Sequence, residues 1–188
     1  GKVTLCGEES FGTSSSHVRE KDGIWAVLFW LNLIAVRRQP VREIVAQHWR
    51  EFGRNYYTRY DYEAVDSGAA GQLMDGLREQ LPALAGSSLD GRKVAVADDF
   101  SYTDPVDGSV SDRQGIRILF EDGSRIVYRL SGTGTEGATL RVYLEYYEPD
   151  VDKQLQETAT VMQPFVDIAT SLARIEALTG RSGPTVIT

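Results

Sequence analysis

Residues 129–141 read RLSGTGTEGATLR. An apolar strand over residues 125–130 leads into this stretch, and a second strand is predicted to begin at Thr139. Between the strands lie three glycines, three hydroxyl side chains and one acid. Glycines let backbone N–H groups approach a ligand closely, and hydroxyls add donors. The composition favours a loop that holds an oxyanion, although an ordinary glycine-rich turn would contain the same glycines.

Two arginines, Arg129 and Arg141, stand at the rims of this loop. Because side chains alternate between the two faces of a strand, each arginine is expected to point opposite to its apolar neighbours and to leave the core face. A guanidinium group can bind two phosphate oxygens at once. The arginines therefore favour an oxyanion site over an ordinary turn.

This stretch, extended to Tyr143, resembles the phosphate-binding loop in the last domain of the α-D-phosphohexomutases, and in particular of the phosphoglucomutases. A second motif, CGEESFGTSSSHVREKDGIWA at residues 6–26, resembles the sugar-binding loop of the same enzymes. The ending GRSGPTVIT is similar to the end of many of their chains. The resemblance covers the whole chain. It implies the C-terminal part of a phosphoglucomutase, which interconverts glucose 1-phosphate and glucose 6-phosphate through glucose 1,6-bisphosphate.

The resemblance also implies a role for individual residues. Glu8 and Ser10 would hold the hexose, and one carboxylate beside one hydroxyl suits vicinal sugar hydroxyls; a turn-capping role for the carboxylate is the alternative. Lys21 and His17 would meet the transferring phosphoryl group. The phosphate that is not transferred would be anchored by Arg129, Ser131, Gly132, Thr133 and Arg141.

Two parts of a phosphohexomutase site are absent from the sequence. The family carries the transferred phosphate on a serine in a short motif of Thr, Ala, Ser, His and Asn, and binds Mg²⁺ through three aspartates alternating with glycines; neither motif occurs here. We therefore expect no metal ligands in this chain and no activity from it alone. Mg²⁺ and glucose 1,6-bisphosphate would belong to the complete enzyme, with the missing N-terminal domains of the same protein as partners. The alternatives are a non-catalytic sugar-phosphate-binding module and a mutase for another hexose phosphate, although GEESFG resembles the glucose type.

Composition narrows the class of protein. The net charge of −7 argues against nucleic acid as a partner, because a phosphate backbone requires a broad basic surface. A single cysteine, Cys6, excludes an intrachain disulfide and favours the cytoplasm. The longest apolar run, residues 24–36, is interrupted by Asn32 and is shorter than the roughly 20 residues of a membrane span. It predicts a buried helix and no membrane partner.

The order of predicted elements gives two domains. A glycine- and hydroxyl-rich loop over residues 7–16 precedes a helix over 23–38 with Asp22 as N-cap, and a second helix runs from Pro40 to Gly53. Residues 1–52 would be the end of the sugar-binding domain, a mainly helical remnant of an α/β domain; because the chain opens at Gly1 without Met, it is expected to be part of a longer protein.

Residues 53–188 would be the phosphate-binding C-terminal domain. A strand over 55–60, a helix over 62–81, several strands up to residue 146 and a helical tail predict an α+β fold with an antiparallel sheet packed by helices. Asp122 and Gly123 predict a two-residue hairpin turn within that sheet. The matching family domain resembles the TATA-binding protein in shape.

Overall fold

The computed structural model describes residues 4–8, 12–18, 20–134 and 137–188, with the backbone alone for residues 132–134. The chain divides into two compact units, Gly1–Phe52 and Gly53–Thr188. None of the helices in the described ranges is both long and apolar enough to cross a membrane.

The first unit combines a short hairpin with two helices. Strands β1 (Leu5–Gly7) and β2 (Thr13–Ser15) pair antiparallel, so the prediction that residues 7–16 form only a loop is wrong at β2. Helix α1 spans Gly23–Arg37, and the Asp22 carboxylate accepts a hydrogen bond from the Trp25 N–H at 2.9 Å, as expected of an N-cap. Helix α2 spans Val41–Phe52.

The prediction that α1 is buried is wrong for this structure. No residue of α1 is buried, and Ile24 and Val36 at its two ends are 78% and 79% exposed. The helix is apolar nearly all round, whereas a two-stranded hairpin and one neighbouring helix offer too little surface to cover it.

The second unit confirms the predicted α+β class. Its seven strands form one sheet in the order β4-β5-β6-β7-β8-β3-β9, in which every described pairing is antiparallel. The elements in chain order are β3 (Arg54–Val65), α3 (Ser67–Leu84), β4 (Ser88–Leu89), β5 (Arg92–Thr103), β6 (Val110–Phe120), β7 (Arg125–Gly134), β8 (Gly137–Glu148), a 3₁₀ turn (Val151–Lys153), α4 (Thr158–Leu172), α5 (Ile175–Thr179) and β9 (Val186–Ile187).

Helices α3 and α4 pack on one face of this sheet and enclose the core. Tyr128 of β7 is fully buried there, and its hydroxyl donates a hydrogen bond to the Ala169 carbonyl of α4 at 2.8 Å. Burial raises the pKa of this phenol. We call the opposite face, which carries charged side chains on β5, β6, β7, β8 and β3, the open face; these are Asp98, Arg117, Arg125, Arg129, Arg141, Glu145, Arg59 and Asp61.

Two predicted boundaries are wrong. The predicted helix over 62–81 begins later, because β3 continues to Val65 and α3 starts at Ser67. The predicted two-residue hairpin has four residues, 121–124, between β6 and β7, and Gly123 takes the left-handed conformation there with φ 85°. In both places, pairing with a neighbouring strand decides where the strand ends.

Candidate functional site

Arg129 and Arg141 lie directly opposite each other across β7 and β8. Their neighbours Tyr128 and Leu140 are fully buried in the core, so the arginines are on the open face, as the alternation predicts. Two like charges in a directly opposed pair destabilise a sheet. An anion bound between the guanidinium groups would remove that repulsion.

The glycine-rich stretch continues the same two strands. Strand β7 runs on to Gly134 and β8 resumes at Gly137, earlier than the predicted start at Thr139. Ser131 is the partner of Thr139, and the register shifts between Ser131 and Gly134. Residues 135–136 lie outside the described residues, together with the side chains of residues 132–134.

Gly137 has φ +99°, and a Cβ added there would lie 2.8 Å from the carbonyl oxygen of Val65. That distance is shorter than real Cβ contacts, so this position requires glycine. The exit of the loop is thus packed against the end of β3. The predicted anchor residues Gly132 and Thr133 belong to the backbone of β7, between the pairing of Ser131 with Thr139 and that of Gly134 with Gly137.

Strand β3 adds two charged residues beside Arg141. Asp61 is the cross-strand partner of Arg141, and one of its carboxylate oxygens lies 3.8 Å from the Arg141 Nε. Arg59 binds the same carboxylate with two hydrogen bonds of 2.9 and 3.0 Å. Burial alone would lower the pKa of Arg59, but the hydrogen bonds and charge of Asp61 outweigh it and raise that pKa.

Asp61 is only 5% exposed, and the Arg141 Nε is buried without a hydrogen-bond partner among the described residues. Arg129 is exposed, and its side chain makes no ion pair or hydrogen bond within the described part of the chain. Among the described side chains, this cluster brings together the guanidinium groups of Arg59, Arg129 and Arg141 and the carboxylate of Asp61, so positive charge predominates. A phosphate monoester carries about −1.5 to −2 at pH 7, so its charge matches this cluster.

The sequence reasoning missed Asp61 and Arg59. The predicted strand ended at residue 60, which placed Asp61 outside the sheet. The signal was present, since the buried Tyr56, Thr58 and Tyr62 alternate with residues 57, 59 and 61. Extending the alternation through Tyr62 would have put both residues on the same face as Arg141.

In the first unit, the structure brings Lys21 and Glu8 together. The Lys21 ammonium lies 3.1 Å from a Glu8 carboxylate oxygen, and both side chains are exposed. A Cβ on Gly12 would lie 2.5 Å from the Lys21 side chain, so the glycine makes room for the lysine to cross the hairpin. Glu8, which is predicted to bind the hexose, and Lys21, which is predicted to meet the phosphoryl group, therefore form an ion pair with each other in this structure. Ser10 lies outside the described residues.

His17 is tied to the start of α1. One of its ring nitrogens lies 2.9 Å from an Asp22 carboxylate oxygen, and its ring stacks on Trp25 with centroids 5.9 Å apart. The hydrogen bond from His17 and the backbone N–H of Trp25 lower the pKa of Asp22. His17 thus contacts the residue that follows Lys21 in the chain.

The described residues of this chain do not fit a divalent metal. They contain no cluster of three or more His, Cys, Asp or Glu side chains that could hold an ion. The cluster around Asp61 combines its single carboxylate with cationic groups, which repel Mg²⁺. This cluster is therefore suited to an anion and not to a metal ion.

By fold and site the chain falls in the class of α+β domains with an arginine-flanked loop suited to an oxyanion. The family model "Phosphoglucomutase-1, C-terminal domain" matches residues 54–185, and "Phosphoglucomutase/phosphomannomutase, alpha/beta/alpha domain III" matches residues 1–52. The chain belongs to the phosphoglucomutase family.

Individual relatives agree with this assignment. A phosphoglucomutase from Rhizobium radiobacter is 62% identical over the whole chain, and a probable cytoplasmic phosphoglucomutase from Arabidopsis thaliana is 52% identical over the whole chain. The chain covers 35% of each of these relatives, so it spans about a third of their length. The open form of parafusin, a phosphoglucomutase from Paramecium, superposes with a TM-score of 0.85 at 49% identity, over 98% of this chain and 32% of that one.

Proposed function

We propose that this chain supplies the sugar- and phosphate-binding loops of a phosphoglucomutase that interconverts glucose 1-phosphate and glucose 6-phosphate through glucose 1,6-bisphosphate. The observation that carries the proposal is the directly opposed pair Arg129 and Arg141 beside the glycine-rich stretch. A repulsive pair on a sheet is understandable if a bound anion offsets the repulsion. The names of the relatives support the substrate class.

In the proposed reaction, Arg129 and Arg141 bind the phosphate that is not transferred. Further hydrogen-bond donors to this phosphate would be Ser131, Gly132 and Thr133. The bisphosphate intermediate must turn end over end between two half-reactions, and a fixed anchor that accepts either phosphate allows this. Glu8 and Ser10 would hold the hexose. Lys21, with His17 nearby, would stabilise charge on the transferring phosphoryl group, for which positioning and charge neutralisation are the main requirements.

The remaining chemistry is assigned to parts of the enzyme outside this chain. The phosphoserine and the Mg²⁺ would come from preceding domains, because neither motif occurs among these 188 residues. Residues 1–52 would complete the sugar-binding domain and 53–188 form the phosphate-binding domain. The proposed compartment is the cytoplasm, supported by the single cysteine and by the name of the Arabidopsis relative, although a relative from Solanum tuberosum is named chloroplastic.

Substitution of Arg141 tests the proposed function. A charge-assisted bidentate contact contributes about 1.5 to 3 kcal/mol, so Arg141→Ala should weaken binding of both glucose 1-phosphate and glucose 6-phosphate by roughly 10- to 150-fold. Arg141→Lys should recover only part of the affinity, since lysine keeps the positive charge but cannot make the bidentate contact of a guanidinium group. Calorimetric titration of the 188-residue chain measures both.

Arg125→Ala is the matched control, because Arg125 lies on the same strand and face as Arg129 but pairs with Glu145. The affinity of the Arg125→Ala variant for both sugar phosphates should stay close to that of the wild type. Melting curves should show that all variants fold. Equal affinities for wild type and Arg141→Ala would remove Arg141 from the site and contradict the proposed function.

A further inference from the structure

Asp61 is a buried carboxylate beside two cationic side chains, those of Arg59 and Arg141. Its oxygens accept both hydrogen bonds from Arg59, and one of them lies 3.8 Å from the Arg141 Nε. The Asp61 side chain is 7% exposed, whereas that of Arg141 is 38% exposed. The buried Nε of Arg141 thus faces Asp61. The two terminal nitrogens of the guanidinium group can then contact a ligand on the open face.

The backbone of Asp61 is fixed from both sides. In the sheet it pairs with Arg141 of β8 on one side and with Val186 of β9 on the other. Its carbonyl oxygen also accepts a hydrogen bond of 2.7 Å from the Thr185 N–H. A strand paired on both sides in this way gives the carboxylate a defined position from which it can orient its neighbours.

We propose that Asp61 is a positioning residue for the phosphate anchor: it holds the Nε edge of Arg141 so that the terminal nitrogens form a fork toward the bound phosphate. Arg59 completes the arrangement, because its two hydrogen bonds keep the carboxylate from rotating toward Arg141 alone. The proposal rests on the proposed function, since it needs Arg141 to bind phosphate. It adds a residue that touches no ligand and acts through another side chain.

A positioning role and a purely electrostatic role of Asp61 predict opposite effects of its loss on the affinity for phosphate. Removing its negative charge raises the net positive charge of the cluster, so a purely electrostatic site would bind an anion more tightly. If Asp61 instead orders Arg141, its loss frees the guanidinium to rotate, and the ligand must then order it at an entropic cost. Positioning therefore predicts weaker binding despite the additional positive charge.

The experiment compares Asp61→Asn with the wild type by titrating glucose 6-phosphate into the 188-residue chain. We expect the affinity to fall by about tenfold, which is the lower end of what a charge-assisted contact is worth. Asp98→Asn is the matched control: Asp98 binds Arg117 through two hydrogen bonds of 2.8 and 2.6 Å on the same face, away from the loop. That variant removes the same charge and should bind as tightly as the wild type or more tightly.

A double-mutant cycle separates this proposal from the proposed function. If Asp61 acts through Arg141, Asp61→Asn should have no further effect on affinity in an Arg141→Ala background. Unchanged or tighter binding by Asp61→Asn, with Arg141→Ala still weakened, would overturn the positioning role and leave the anchor intact. An unaffected Arg141→Ala variant would instead contradict the anchor itself.

A measurement on the wild type covers the case in which Asp61→Asn does not fold. The Arg141 Nε–H should give a resolved NMR signal that exchanges slowly with water before any ligand is added, because this nitrogen is buried beside Asp61. Addition of glucose 6-phosphate should shift that signal. A rapidly exchanging Nε–H in the free chain would show that Arg141 is not held, and would overturn the proposal.

Discussion

At the level of single residues, Gly137 links the end of β3 to the start of β8. It has a positive φ, and the Val65 carbonyl oxygen lies 2.8 Å from the position that its Cβ would take. The two requirements are independent, because the first concerns the conformation of the glycine and the second the space beside it. The glycine is therefore needed for more than loop flexibility.

Gly137→Ala should lower the free energy of unfolding by about 1 to 3 kcal/mol or more, since a non-glycine residue at positive φ is strained and its Cβ would displace the Val65 carbonyl. It should also weaken binding of glucose 6-phosphate, because the displaced backbone lies next to the anchor. Gly123→Ala is the control: Gly123 has φ +85° but open space around its Cβ position. Urea unfolding and titration should show a smaller loss of stability and unchanged affinity for the control, and equal effects of the two substitutions would contradict the steric argument.

At the level of elements, the sequence predicted best where the signal is local. The predicted ends of α1 and α2 agree with the observed ends to within a residue or two. The residues that marked them, Asp22, Pro40 and Gly53, each act on an adjacent helix end. The boundary between β3 and α3 depends on pairing over long sequence distances, since Tyr62 pairs with Leu140 and Val65 with Ala138.

The same dependence explains which part of the candidate site was predictable. Alternation within one strand was enough to place Arg129 and Arg141 on the face opposite Tyr128 and Leu140. Alternation continued through Tyr62 would also have placed Asp61 on that face, but its position directly beside Arg141 depends on the register of β3 against β8, which no local pattern contains. The burial of α1 was mispredicted for a related reason: an all-apolar helix indicates that something must cover it, but not that the covering surface lies within these residues.

Substitution of Asp66 tests the observed helix boundary. In the structure Asp66 is the N-cap of α3 and accepts a hydrogen bond from the Ala69 N–H at 2.9 Å. Asp66→Ala should therefore lower stability by about 1 kcal/mol, and Asp66→Asn should retain most of it. If the helix began at residue 62, as the sequence suggested, Asp66 would lie inside it and alanine would stabilise it. The sign of the change in urea unfolding distinguishes the two boundaries.

At the level of the whole molecule, the distribution of buried surface differs between the two units. Every residue of the main hydrophobic core belongs to Gly53–Thr188, whereas Ile44 of α2 is the one buried apolar residue among those described in Gly1–Phe52. The overall charge of −7 also contrasts with the positive cluster on the open face, so attraction of a sugar phosphate must be local. The main hydrophobic core and the proposed phosphate anchor therefore both lie in the second unit.

Residues 53–188 should consequently fold when expressed alone. The unit contains a complete core with helices on one face of the sheet, and its size is within the usual range for a single domain. We expect a cooperative melting transition and an affinity for inorganic phosphate similar to that of the 188-residue chain, because Arg129, Arg141 and Asp61 are all retained, whereas the affinity for glucose 6-phosphate should be lower because Glu8 and Ser10 are absent. Residues 1–52 alone serve as the comparison: with no buried residue in α1, they should melt without a cooperative transition and bind a hydrophobic dye. A non-cooperative, dye-binding 53–188 segment would show that its core is incomplete and would contradict the assignment of stability to this unit.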